Sequence, residues 1–146
     1  MTRTALLVSG SRRLVERAAV IARFQHYPKG TILIHGNNGE FVRFSPEPFD
    51  GYWRGLDKIA HDLCRPFDFI PHPYPYFGDL GLQGGPKRNA CMLGTLANLR
   101  AYGFECFFEA WPDAKSKGTR GMIALVERHN RMAPCGWSIP IHVTET

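Results

Sequence analysis

The sequence is poor in the marks of several protein classes. Its four cysteines, Cys64, Cys91, Cys106 and Cys135, lie far apart with no CxxC pair. That argues against a disulfide framework or a zinc knuckle, and for reduced thiols that are mostly buried. No apolar run approaches the roughly 20 residues that a membrane-spanning helix needs. The opening MTRTALLVSGSRR sets a short apolar stretch ahead of arginines, the reverse of a signal peptide, so a cytoplasmic location is expected. There is no HExxH, no Ser-His-Asp order and no Lys-Ser/Thr of a P-loop. His35 and His72 lack spaced partners, so hydrogen-bonded structure is expected of them rather than metal ligation. No metal and no cofactor is expected.

What remains is ordinary in bulk. The 146 residues are 44% apolar and 21% charged, enough for a single domain spanning 1–146 with a real core. A net charge of +5 and a pI of about 9.2 suit an anionic partner, either a phosphate metabolite or nucleic acid. The basic residues are spread along the chain, which disfavours a nucleic-acid tail.

Periodicity alternates along the chain. TALLVSG (4–10) reads as a strand, RLVERAAVIARF (13–24) as a helix and TILIHG (31–36) as a second strand. Residues 37–53 fit neither period. They form an aromatic-rich inserted loop, with room for a small hairpin, carrying Phe41, Phe44, Phe49, Tyr52 and Trp53. GLDKIAHDLC (55–64) resumes a helix ended by Arg65-Pro66, and FDFIP (67–71) is a weaker strand. After a long Pro/Gly/Tyr loop come a helix from Pro86 to Tyr102, a strand at 104–110, a helix from Thr119 to about Met132 and a strand at 138–144. The order β-α-β-α-β-α-β-α-β predicts a Rossmann-like α/β fold. It should be an open parallel five-stranded sheet with helices on both faces. Ligands of such sheets bind beyond the carboxyl ends of the strands, where strand order reverses. The Gly-rich and charged loops fall on that side.

Three junctions there could hold an anion on backbone N–H groups at a helix start. In SGSR, Gly10, Ser11 and Arg12 could contact phosphate, or Ser11 could be a plain N-cap. HGNNG puts Gly36 and Asn37 on the same rim. In GLQGGPKRN, Gly84 and Gly85 free the backbone, and Lys87, Arg88 and Asn89 stand where an anion would sit. Arg88, with its planar guanidinium, is the strongest single candidate. SKGTR repeats the design with Lys117, Gly118 and Thr119, unless Thr119 is an ordinary cap. Asp57 could accept from ribose hydroxyls or simply favour a helix dipole. Trp111 and Tyr76 could stack a base, or Trp111 could be structural. Glu109 and Asp113 flank Trp111 and are the candidate catalytic acids.

These motifs, in this order, resemble the SLOG superfamily, the nucleotide-binding Rossmann-like group that includes the LOG phosphoribohydrolases and DprA. The YspA-like, cpYpsA-related branch is the most similar. The likeness rests on LLVSGSR, LIHG with GLDKIAHDLC, GGPKRNACML and SKGTRGMI, and covers nearly the whole chain. It implies a pocket for nucleotide-derived ligands and use as a sensor or sponge, as in bacterial or phage immune signalling, often as a homo-oligomer. In the LOG enzymes the last junction is PGGxGTxxE. Aligned on Gly118-Thr119, its glutamate falls on Met122, and a thioether cannot transfer a proton.

The expectation is therefore a protein that binds a nucleotide-derived small molecule, ADP-ribose-like or of cyclic-nucleotide type. Phosphate would lie on Arg12, Arg88, Gly118 and Thr119, and the segment 37–53 would wall or cap the pocket or form a subunit interface. The alternatives are N-glycosidic hydrolysis using Glu109 or Asp113, and single-stranded nucleic acid bound across the basic rim.

Overall fold

In a computed structural model the structure describes residues 2–74 and 84–146. Among these residues seven strands and four helices follow in the order β1 (Thr4–Gly10), α1 (Ala18–Phe24), β2 (Ile32–His35), β3 (Glu40–Arg43), β4 (Gly51–Arg54), α2 (Leu56–Phe67), β5 (Ile70–Pro73), α3 (Gly84–Ala101), β6 (Glu105–Trp111), α4 (Lys117–Met132) and β7 (Ile141–Val143). Five strands form one sheet in the order β5-β2-β1-β6-β7, with every pairing parallel. The chain runs outward from β1 to β2 and β5, then crosses back to β6 and β7. The order therefore reverses between β1 and β6.

Alternation along β1 sorts the core into two layers. Leu6 and Val8 pack with Val20 and Phe24 of α1 and with Leu56, Ile59 and Leu63 of α2. Ala5 and Leu7 pack with Met92 and Leu96 of α3 and Met122 and Val126 of α4. Cover on both faces explains why the central strands β1 and β2 read as apolar runs. Met122 is fully buried in the second layer.

Several boundaries differ from the sequence reading. Residues 11–17 form no helix, because the carbonyls of Ser11 and Leu14 accept the N–H groups of Leu56 and Gly55 at the start of α2. Helix α2 runs through Pro66 to Phe67, since a proline in the last turn removes only its own N–H. Ile139 lies outside β7: Asn130 brackets its backbone N–H and carbonyl at 2.7 Å each. The segment 37–53 contains an antiparallel hairpin, β3–β4, with Phe41 opposite Trp53. Cys64 and Cys106 are buried thiols, whereas Cys91 and Cys135 are exposed, so burial holds for two of the four. No helix among the described residues is long and apolar enough to cross a membrane.

Candidate functional site

At the point where strand order reverses, the ends of β1 and β6 are tied together. Ser11 N donates to the carbonyl of Trp111 at 2.9 Å, and Ser11 Oγ donates to Asp113 Oδ2 at 2.6 Å. Ser9 Oγ donates to Thr119 Oγ1 at 3.2 Å, joining β1 to the first turn of α4. Asn89 Nδ2 donates to the carbonyl of Gly118 at 3.2 Å, joining α3 to the same turn. These ties close a hollow of about 530 Å³.

Its wall takes Ser9, Gly10, Arg12 and Arg13 from the end of β1, and Gly36 and Asn38 from the end of β2. Asp57 enters from α2, Gly85, Arg88 and Asn89 from α3, and Lys115, Lys117, Gly118 and Thr119 from the approach to α4. The N-terminal turns of α3 and α4 both face it, and first-turn N–H groups lack an i−4 carbonyl. Five basic side chains and one carboxyl border the space, so its field is strongly positive.

Asp57 is that carboxyl. Its Oδ2 accepts the N–H of Asn38 at 3.1 Å, while among the described residues the buried Oδ1 has no hydrogen-bond partner. Burial pushes its pKa up to about 6, against the opposing pull of Arg88, the N–H groups of Asn38 and Gly36, and Arg12. Arg88 is itself buried and donates from Nη1 to the carbonyl of Gly36 at 3.1 Å. A Cβ on Gly36 would stand 3.1 Å from Asp57 Oδ2 and 3.2 Å from Arg88 Cζ, so a side chain here would press on both groups. With the Asn38 amide turned to satisfy its neighbours, its oxygen accepts from Arg12 Nε at 2.8 Å and Nη2 at 3.0 Å. Gly10 serves packing instead, since a Cβ there would come within 2.5 Å of Leu56 Cδ2. Gly85 and Gly118 have open space where a Cβ would be.

Other candidates sit elsewhere. Ser11 is buried and spent on Asp113 and on the N–H of Arg13, and no helix begins there. Asn37 turns the chain with a φ of +51° and leaves the wall to Asn38. Lys87 is exposed on α3 outside the wall, and Gly84 opens that helix. Thr119 is not a cap: α4 begins two residues earlier, at Lys117. Trp111 is fully buried among Phe24 and the α1/α2 layer, so it does not stack a ligand in the hollow. Tyr76 lies outside the described residues. None of Phe41, Phe44, Phe49, Tyr52 and Trp53 lines the hollow.

Neither candidate acid faces it. Glu109 is fully buried on the α1 side of the sheet and borders a separate cavity of about 610 Å³. Its carboxylate accepts from Arg23 Nε (3.0 Å) and Nη2 (2.9 Å) and from Tyr27 Oη, with His142 Nδ1 at 3.3 Å. Asp113 accepts from Arg13 Nε and Nη2 at 3.0 and 2.8 Å, from Ser11 and from Ser116. The hydrogen bonds from Arg13 and then Ser11 hold its carboxyl well below the usual range. It is a clamp on the rim.

His35 is fully buried. Its Nδ1 accepts from Asn37 N at 3.0 Å, so Nε2 carries the proton and donates to His61 Nδ1 at 3.0 Å. Burial, with His61 and His72 nearby, lowers its pKa to about 4. Among the described residues no group of three or more His, Cys, Asp or Glu is placed to hold a metal ion.

Sequence reasoning missed Arg13, Asn38 and Lys115. The signal for Asn38 was available in the Asn-Asn pair, since asparagine tolerates a left-handed turn and the residue after it is redirected inward. No family model, curated protein or solved structure matches this chain.

Proposed function

We propose that this chain binds a nucleotide-derived anionic small molecule, of ADP-ribose-like or cyclic-nucleotide type, as a sensor or sequestering protein of SLOG kind. One observation carries the reading. Three separated Gly-bearing bends and two helix N-termini meet at the reversal point around a single hollow, with five basic side chains and one incompletely partnered carboxyl. Phosphate oxygens suit Arg12, Arg88, Lys117 and the first-turn amides of α4. A ribose hydroxyl suits the Asp57 carboxyl, the acceptor that α2 brings to the wall of the hollow.

The test is calorimetry and thermal shift with a panel of ADP-ribose, cyclic nucleotides and mononucleotides. One of them at 100 times its Kd raises stability by about 2.7 kcal/mol. Arg88→Ala and the exposed-site variant Lys117→Ala each weaken that response. If no ligand shifts the melting point and neither variant differs from the parent, the reading fails.

The enzyme reading keeps one observation in its favour. Among the described residues Asp57 is the one acid bordering the hollow, and burial pushes its pKa up to about 6, where it can move a proton near neutral pH. Release of free base from a nucleotide panel, abolished in Asp57→Asn, would favour N-glycosidic hydrolysis over binding alone.

A further inference from the structure

The β3–β4 hairpin holds aromatic surface that its own chain leaves in water. Phe44 is 72% exposed, Phe49 94% and Trp53 57%. Phe41 packs on Trp53 on one face of the hairpin and Phe44 on Tyr52 on the other, with ring centroids 5.3 and 5.6 Å apart, so each face carries one paired set of rings. At the tip Phe49 has a φ of +68°, a left-handed conformation that crowds a bulky L residue. Pro46 and Pro48 stiffen the approach to it. A strained backbone presenting a bare phenyl ring gains nothing inside its own fold. The tip is also acidic: between Phe44 and Gly51 the charged residues are Glu47 and Asp50, both exposed.

A surface of opposite character lies on α4. Leu125, Arg128, His129 and Met132 follow helical spacing along one face and, with Trp137 from the turn beyond, line an apolar groove of about 430 Å³. Met132 is 76% exposed and Trp137 45%. The turn is fixed by Trp137 N donating to Pro134 O at 3.0 Å and by Arg100 Nη2 donating to Gly136 O. Glu127, the only acid of α4, does not line the groove. A cavity of about 150 Å³ already admits benzene, so a phenyl ring has room.

We propose that the hairpin tip of one copy of this chain seats in the α4 groove of a second copy. The Phe49 ring enters between Leu125, Met132 and Trp137, and Glu47 and Asp50 meet Arg128 and His129. Tip and groove are different surfaces, so the contact is heterologous. It repeats until a ring closes, or two copies exchange tips. Leu125 borders both this groove and the hollow, so the contact reaches the wall of the proposed ligand site. The proposal does not depend on any ligand being bound there.

The test is sedimentation velocity on the purified full chain without nucleotide, up to about 100 μM, where a contact with a Kd of about 10 μM is well populated. Wild type associates as concentration rises. Phe49→Ser and Trp137→Ala each stay monomeric and keep the parent melting temperature. An equimolar mixture of the two forms a 1:1 heterodimer, because each supplies the surface that the other lacks. Glu47→Arg weakens association about tenfold, and Arg128→Glu in the partner restores it. A wild type that is monomeric throughout, association untouched by Phe49→Ser, or two variants that stay apart when mixed would each overturn the proposal. The last outcome would mean that hairpins pair with hairpins.

Discussion

Asn38 donates its backbone N–H to Oδ2 of Asp57 at 3.1 Å, while among the described residues Oδ1 of the same carboxyl has no hydrogen-bond partner. A fold selected for stability alone would not keep a half-satisfied carboxyl in its interior. Asp57→Asn should therefore separate stability from binding. The native pKa of about 6 lies above the ordinary 3.8, so between these values the folded state holds more protons than the unfolded one. Stability from this group then falls as pH rises, by on the order of 3 kcal/mol across the window. At pH 8 the variant melts several degrees above wild type, and at pH 4 the two coincide. Nucleotide binding is lost at both. Denaturation melts and calorimetry at the two pH values check it; a variant that loses stability at pH 8 would contradict the assignment.

His35 works in the opposite direction over nearly the same range. Its pKa is lowered from 6.5 to about 4, so the unfolded chain binds the additional proton. Stability from His35 is complete above pH 6.5 and falls as pH drops toward 4, again by on the order of 3 kcal/mol. In wild type the His35 and Asp57 contributions largely offset one another between pH 4 and 6. Urea midpoints should be nearly flat there for the parent. They should fall steeply with acid in Asp57→Asn, where His35 acts without its counterweight.

The glycines divide into two kinds with opposite mutational signatures. At Gly10 a methyl would strike Leu56 Cδ2 at 2.5 Å and Leu56 Cβ at 2.8 Å, both well inside contact distance. Gly10→Ala should cost about 1–3 kcal/mol by overpacking the β1–α2 junction. At Gly118 the space is empty. Gly118→Val should melt within a few degrees of wild type and yet weaken ligand binding tenfold or more by filling the hollow. A Gly118→Val protein with unchanged affinity would place the ligand elsewhere.

The sheet and its helix layers were legible because they depend on local signals: apolar runs flanked by glycine, and helical spacing in GLDKIAHDLC and in the α4 segment. The glycine and arginine bends were legible for the same reason. The missing α1 start was not, because the carbonyls of Ser11 and Leu14 are claimed by amides some forty positions away. Trp111 and Glu109 illustrate a subtler failure. Their parity along β6 puts them on one face with Phe107, opposite Cys106, Phe108 and Ala110. Alternation gives that grouping, but which face borders the hollow depends on how helices layer around the whole sheet. The same long-range packing decides that Met122 points into the core.

Glu109 provides the sharpest separation of structure from chemistry. Its two oxygens serve Arg23, Tyr27 and His142, and the side chain is fully buried. An amide keeps the shape but offers one acceptor oxygen, turns an N–H₂ toward a donor and leaves Arg23 facing a neutral group. Breaking one partner of a buried ion pair costs about 3–5 kcal/mol, and the lower end applies because Arg23 is a quarter exposed. Glu109→Gln should therefore lower the urea midpoint sharply while leaving nucleotide affinity within about twofold of wild type. If Glu109 were instead the acid of a glycosidic reaction, stability would hold or rise and turnover would vanish. Equilibrium unfolding and a base-release assay on the same variant distinguish these outcomes. The cavity beside Arg23 and His142, on the far side of the sheet from Arg88, makes the first the expected result.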